Sequence, residues 1–178
     1  MLLTLGIAGM LSGAILVGVY QVTAPRIERN RAEALEKAVY EVLPGAEKRE
    51  AWVLRDGAFI AAEPESGEEA VYAGYDASGA RLGFAIPTEG GGFQDTIRLI
   101  YGVDPVRRVV LGMRVLESRE TPGLGDKIIK DQAFVGAFSE LAVDPGLTAT
   151  KKGASKPGEI DAISGATISS KAVVNIIN

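Results

Sequence analysis

The stretch VYAGYDASGARLGFAI, residues 71–86, sets two apolar and aromatic runs, Val71–Tyr75 and Leu82–Ile86, around Asp76–Gly79. An Asp side chain can bond its own backbone and Gly reaches positive φ, so the spacing predicts an antiparallel hairpin. The pattern recurs outward. Upstream, Trp52–Leu54 and Ala58–Ile60 flank Arg55-Asp-Gly57, a second hairpin turn. Downstream, Thr96–Tyr101 and Val109–Leu116 alternate as strands, separated by Gly102–Pro105. Asp131–Leu141, DQAFVGAFSEL, predicts a short helix with Asp131 as its N-cap. Ile168, Ala172, Val173, Ile176 and Ile177 keep helical spacing near the other end. Glu63–Glu69 (EPESGEE) and Thr148–Gly158 (TATKKGASKPG) read as polar, solvated loops. Hairpins broken by a few helices predict a mixed α+β domain rather than a doubly wound parallel sheet.

The N-terminal block is of another kind. Residues Leu2–Ala24, LLTLGIAGMLSGAILVGVYQVTA, carry no charge, whereas all 19 basic and 23 acidic side chains lie at or after Arg26. As a helix the block spans about 35 Å at ~1.5 Å per residue, against a hydrocarbon core of about 30 Å. A cleaved signal peptide needs a basic start and a shorter apolar core, and neither is present. The expectation is one transmembrane helix over 1–24. Gly6, Gly9 and Gly13 either let another helix approach closely or reflect the general frequency of Gly in membrane helices. Residues 25–45 then read as an amphipathic connecting helix, opened by Pro25 and closed by Pro44-Gly45. Residues 46–178 make up the soluble domain.

Composition narrows the chemistry. The 178-residue chain has no Cys and no His. Thiolate-bound iron–sulfur clusters, His-bound haem, Ser-His-Asp catalysis and Cys-His catalysis are thereby excluded, and ordinary zinc sites lose their usual ligands. The expectation is no metal site and no catalytic residue. Redox chemistry would require an organic cofactor. A net charge of -4 argues against a nucleic-acid partner.

Three glycine-bearing stretches remain. Gly90-Gly-Gly92 precedes a strand, where it either admits a flat ligand close to the backbone or forms a plain loop. Glu120–Lys127, ETPGLGDK, reads as a tight turn whose Lys127 and free N–H groups also suit a phosphate or a flavin edge. Neither meets the dinucleotide-binding fingerprint. In Asp161–Ser170, DAISGATISS, Ser164 is a candidate N-cap. Thr167 then falls in the first helical turn, where unsatisfied N–H groups and the helix dipole favour an anion. An ordinary Ser-capped helix is the competing reading.

Asp161-Ala-Ile-Ser-Gly-Ala-Thr167 resembles the D-x-x-[ST]-G-A-T motif of covalent FMN-binding domains, and Glu120–Ile128, ETPGLGDKI, is similar to a second signature of that family. The order of parts agrees along nearly the whole chain: an apolar helix ending in TAP, GGGFQDTIRLIYGVDP, ETPGLG, then SGAT. The resemblance implies FMN joined to Thr167 through a phosphoester bond, attached by a flavin transferase that uses FAD and magnesium. It implies Asp161, Ser164, Gly165 and Ala166 as a recognition and capping frame. It places Glu120, Thr121, Pro122, Gly123, Leu124, Gly125 and Lys127 along the flavin.

Within the family the short length points to the G subunits of Rnf-type ferredoxin:NAD oxidoreductases, with the C subunits of sodium-pumping NADH:quinone reductases as the longer alternative. The implied role is electron transfer inside an ion-translocating membrane complex, with other membrane subunits, a flavin transferase and membrane lipid as partners. A non-redox assembly subunit is the competing role, and a flavin reductase acting on soluble substrate is a third. Family resemblance puts the domain on the extracytoplasmic side of the cytoplasmic membrane. Arg26, Arg29 and Arg31 after the apolar block argue the opposite by the positive-inside rule.

Overall fold

The computed structural model describes residues 1–55, 57–64 and 68–178. Helix α1 runs over Leu2–Val42 with Pro25 inside it, so the apolar and amphipathic segments share one helix. The chain divides into two compact units, Met1–Glu36 and Lys37–Asn178. In the first unit most of the described apolar side chains are exposed, Leu16 and Tyr20 among them, while Ala24 and Leu35 are half-buried. This stretch is long and apolar enough to cross a membrane, with a mean hydropathy of 1.9 in its most apolar window.

The second unit is built on one antiparallel sheet. Its strands are β1 (Lys48–Arg55), β2 (Ala58–Ala61), β3 (Ala70–Tyr75), β4 (Arg81–Gly91), β5 (Thr96–Asp104), β6 (Val109–Glu117) and β7 (Leu141–Ala142). They lie in the order β2-β1-β3-β4-β5-β6-β7. The hairpin at 71–86 forms as its turn chemistry requires. Asp76 Oδ1 accepts the Ser78 and Ala80 N–H groups at 2.8 and 2.9 Å and the Ser78 hydroxyl at 2.6 Å. β1 and β2 pair as a hairpin, with Leu54 opposite Phe59. Asp56 of its turn and residues 65–67 of the acidic loop lie outside the described residues.

Both faces of the sheet are covered within this unit. Ala38, Val39, Val42 and Leu43 at the end of α1 are buried against one face. Gly102 makes that contact possible, because a Cβ there would run into the Val42 backbone. Gly102 thus serves packing inside β5 rather than a turn, and the turn into β6 falls at Pro105–Arg108 rather than at 102–105. The other face carries the main core, where Ile97, Leu99 and Val115 meet α2 (Lys127–Lys130), α3 (Gln132–Gly136) and α4 (Thr167–Ile177) through Ile128, Phe134, Phe138 and Val173. Phe134 and Phe138 meet edge-to-face at 5.4 Å.

Two expectations change. Asp131 does cap α3, accepting from Ala133 and Phe134 N–H at 3.0 and 3.2 Å, but the helix ends at Gly136, before Leu141 enters the sheet as β7. Thr148–Gly158 is not loop throughout. Thr148–Thr150 forms β8, which pairs parallel with β9 (Glu159–Asp161). Three residues, Thr-Ala-Thr, carry too little periodicity to announce a strand.

Candidate functional site

The site is built around the first turn of α4. Gly165 takes φ +83°, a left-handed conformation that glycine adopts without the steric cost of a Cβ, and this turns the chain into the helix. The helix therefore starts at Thr167, with Ala166 at the N-cap position and no side-chain cap. Ser164 is not the cap: the Gly165 turn leaves its side chain outside the helix, exposed. Three hydroxyls occupy this turn of α4. Ser170 Oγ donates to Ala166 O at 2.9 Å and accepts from Ile163 N–H at 3.1 Å. Ser169 Oγ donates to Glu120 Oε2 at 2.5 Å. Thr167 is half-buried, and its hydroxyl has no hydrogen-bond partner among the described residues.

Thr167 opens into a cleft of about 470 Å³ lined by Phe93, Thr121, Leu124, Gly125, Lys151, Gly165, Ala166, Thr167, Ile168 and Ser169. That volume lies within the ~300–1,000 Å³ usual for cofactor sites. Phe93, Leu124 and Ile168 are large apolar side chains left 63, 51 and 57% exposed, which suits a flat apolar ring. Lys151 is the one charged side chain in the lining. The N–H groups of Thr167, Ile168 and Ser169 lack an intrahelical acceptor, as at any helix start, and the dipole there is positive. A free hydroxyl, first-turn donors, a cation and apolar walls fit a phosphate-linked flavin.

The structure brings the two sequence motifs together, though not all their residues reach the cleft. Thr121, Leu124 and Gly125 line it beside Gly165, Ala166 and Thr167. Thr121 Oγ1 donates to Gln94 Oε1 at 2.8 Å. Pro122, Gly123, Lys127, Asp161, Ser164 and Glu120 are not among its lining residues. Lys127 Nζ reaches Ser164 O at 3.4 Å, a tie between the motifs. Asp161 Oδ1 accepts Ala154 N–H at 2.8 Å and so closes the 154–161 loop. Gly123 N–H is held by Asp126 Oδ1 at 2.7 Å.

Glu120 is 5% exposed and lies beneath the cleft. Its Oε1 accepts the N–H groups of Phe93 and Gln94 at 2.8 and 2.9 Å, while Oε2 takes the Ser169 hydroxyl. Burial pushes the carboxyl pKa up. The bonds from Ser169, Gln94, Phe93 and Asp95 together outweigh burial and hold it below the usual glutamate value. Gly125 and Gly92 both give way to this carboxylate, since a Cβ on either would stand 2.5 Å from one of its oxygens. Gly90 lies in β4, not in a loop, and makes room for Ile176 Cγ1, which would stand 2.6 Å from a Cβ there. Gly90 and Gly92 thus serve packing of α4 and Glu120, while a Cβ on Gly91 between them would meet nothing within 4 Å.

Sequence reading missed four lining residues: Phe93, Lys151, Ile168 and Ser169. Phe93 was signalled only by its place after Gly92. Lys151 looked like one of several lysines in a solvated loop.

The FMN-binding domain family matches residues 92–178, and the RnfG N-terminal region matches residues 3–42. The G subunit of the ion-translocating oxidoreductase complex of Methanosarcina acetivorans is 32% identical, over 99% of this chain and 89% of that protein. The G subunit of the Na(+)-translocating ferredoxin:NAD(+) oxidoreductase complex of Acetobacterium woodii is 36% identical, over 88% and 77%. Among solved structures, NqrC of Shewanella oneidensis shares the fold, with a TM-score of 0.65 at 20% identity over 84% of this chain and 91% of that one. With matching regions at both ends and a 32% identical relative aligned over 99% of this chain, the chain belongs to the family of G subunits of Rnf-type ion-translocating oxidoreductase complexes.

Proposed function

We propose that this chain is the membrane-anchored electron-transfer subunit of an Rnf-type ferredoxin:NAD oxidoreductase, carrying FMN joined through its phosphate to Thr167. The observation that carries the reading is the uncommitted Thr167 hydroxyl at the start of α4, opening on the cleft while its neighbours Ser169 and Ser170 are engaged. A bound flavin supplies one-electron transfer between neighbouring redox centres. The chain supplies position and electrostatics. Thr167 provides the anchoring oxygen. The N–H groups of the first turn of α4 and Lys151 face the negative charge of the link. Phe93, Leu124 and Ile168 keep water from the apolar ring. Asp161, Ser164 and Lys127 hold the shape of the segment that a flavin transferase must read.

The apolar helix in Met1–Glu36 supports a place in the membrane beside other subunits of such a complex, in contact with lipid. It carries no charge before Arg26, so it supplies no ion relay of its own, and ion transport falls to other chains. We assign the domain to the extracytoplasmic side on family grounds, against the charge of Arg26, Arg29 and Arg31.

The test is intact mass after expression with and without a flavin transferase. The expected gain is the mass of one FMN less water, mapped to the peptide holding Thr167. Thr167→Val should give a folded, colourless protein. A covalently yellow Thr167→Val variant would refute the assignment. An unmodified wild-type chain beside a competent transferase would leave the non-redox assembly role.

A further inference from the structure

We propose that Glu120 is the positioning residue of flavin attachment: a single buried carboxylate that holds the three walls of the cleft in register and presents Thr167. This deepens the proposed function and rests on it. The walls come from distant parts of the chain, namely the Phe93–Gln94 loop, the Thr121–Gly125 loop and the first turn of α4. Glu120 joins all three. Oε1 takes two N–H groups from the first wall at 2.8 and 2.9 Å. Oε2 takes Ser169 Oγ, two residues past Thr167, at 2.5 Å. The residue itself leads into the second wall, and Gly125 folds back against it so closely that no Cβ fits.

The carboxylate also sorts the hydroxyls. Ser169 lines the cleft, yet its proton is committed to Glu120, while Thr167 is left free. Attachment is a substitution at phosphorus with no change of oxidation state. Thr167 Oγ1 forms a bond to the FMN-side phosphorus of FAD, the bond from that phosphorus to the bridging oxygen breaks, AMP departs with the electron pair, and the hydroxyl proton passes to solvent. Glu120 touches none of these atoms. Its effect runs through Ser169 and the loops.

The experiment uses the full chain in detergent, purified without flavin, with Glu120→Ala, Glu120→Gln and Ser169→Ala beside wild type. Amide hydrogen exchange is read first, on unmodified protein. Glu120→Ala should speed exchange at Phe93 and Gln94. Glu120→Gln keeps an acceptor at Oε1 and should retain that protection. Ser169→Ala cuts only the tie to α4, should leave Phe93 and Gln94 unchanged, and carries the test if Glu120→Ala does not fold.

Transfer from FAD by a flavin transferase is read second. Glu120→Ala and Ser169→Ala should lower kcat about tenfold or more with KM for FAD unchanged, as expected for a misplaced reacting group. Glu120→Gln should recover most of the rate. Wild-type exchange at Phe93 and Gln94 in Glu120→Ala, or wild-type kcat in both truncated variants, overturns the proposal. A wild-type chain that accepts no FMN while Glu120→Ala still speeds exchange refutes the attachment reading and leaves the clamp standing.

Discussion

Gly125→Ala is a one-methyl perturbation whose cost can be worked from the structure. The added Cβ would stand 2.5 Å from Glu120 Oε2, 2.7 Å from Glu120 Cβ and 2.9 Å from Ser169 Oγ. Neither partner can swing away freely. Glu120 is fixed by two N–H donors, and Ser169 belongs to α4, which is packed into the core. Overpacking of this kind costs about 1–3 kcal/mol. Shifting the carboxylate also forfeits part of a hydrogen-bond set worth about 1.5–3 kcal/mol per bond to a charged group. A total near 3 kcal/mol follows, or about 6–12 °C at ~2–4 °C per kcal/mol for a folding unit of this size. Gly123→Ala is the internal control. Gly123 also belongs to the motif, but a Cβ there meets nothing within 4 Å. Only its positive φ is penalised, at about 1–2 kcal/mol. Calorimetric melting of the full chain in detergent should therefore rank wild type above Gly123→Ala and Gly123→Ala above Gly125→Ala. A Gly125→Ala variant no less stable than Gly123→Ala would show that the loop moves aside, and the argument for a tightly held carboxylate would fail.

Glu120 also sets a pH dependence. Its folded pKa is depressed, so the stability it contributes is present above the ordinary glutamate value and is lost as pH falls through that value towards the lower folded one. Acid titration of melting temperature should show this loss in wild type and less of it in Glu120→Gln. Equal acid sensitivity in the two proteins would remove Glu120 as the cause. At the cleft, Lys151→Glu replaces the one cation of the lining with a charge that repels the flavin phosphates. Flavin transfer should slow roughly fivefold at low salt, the scale of an exposed charge pair, and the effect should shrink as salt is added. Lys152→Glu alters the net charge equally, outside the lining, and should leave transfer near wild type. Equal slowing by both substitutions would assign the effect to net charge.

What could be read from the sequence depended on the range of the interaction. The hairpin at 71–86 and the Asp131 cap of α3 depend on contacts within a few residues, and both were legible. The short strands β8 and β9 were not, because their pairing depends on each other across a polar loop rather than on internal periodicity. Glu120 was legible as a site residue, but not as one buried beneath the cleft rather than in its lining. In a Gly- and Pro-rich turn, an acidic residue looks exposed. Its burial becomes evident only once the Phe93–Gln94 N–H groups and Ser169 arrive from elsewhere in the chain. Ser164 shows the converse error: it has the right residue type for a helix cap, but the positive φ at Gly165 moves the helix start past it.

These cases bear on why the two motifs go together. Each is unremarkable alone: ETPGLG as a turn, SGAT as a helix start. The hydrogen bond from Ser169 to Glu120 links the second motif to the first across 49 positions, and Gly125 is small because of that link. A glycine that a reading of ligand approach would assign to the flavin is required by the protein itself. The same holds at Gly90, where the occupant of the missing side chain's space is Ile176. Thr167 is the exception in this dense arrangement. It is the hydroxyl in its helical turn that the fold leaves unused, and in a site where the hydroxyls of Thr121, Ser169 and Ser170 are tied down, an unused nucleophile facing a cleft is the feature that internal packing does not account for.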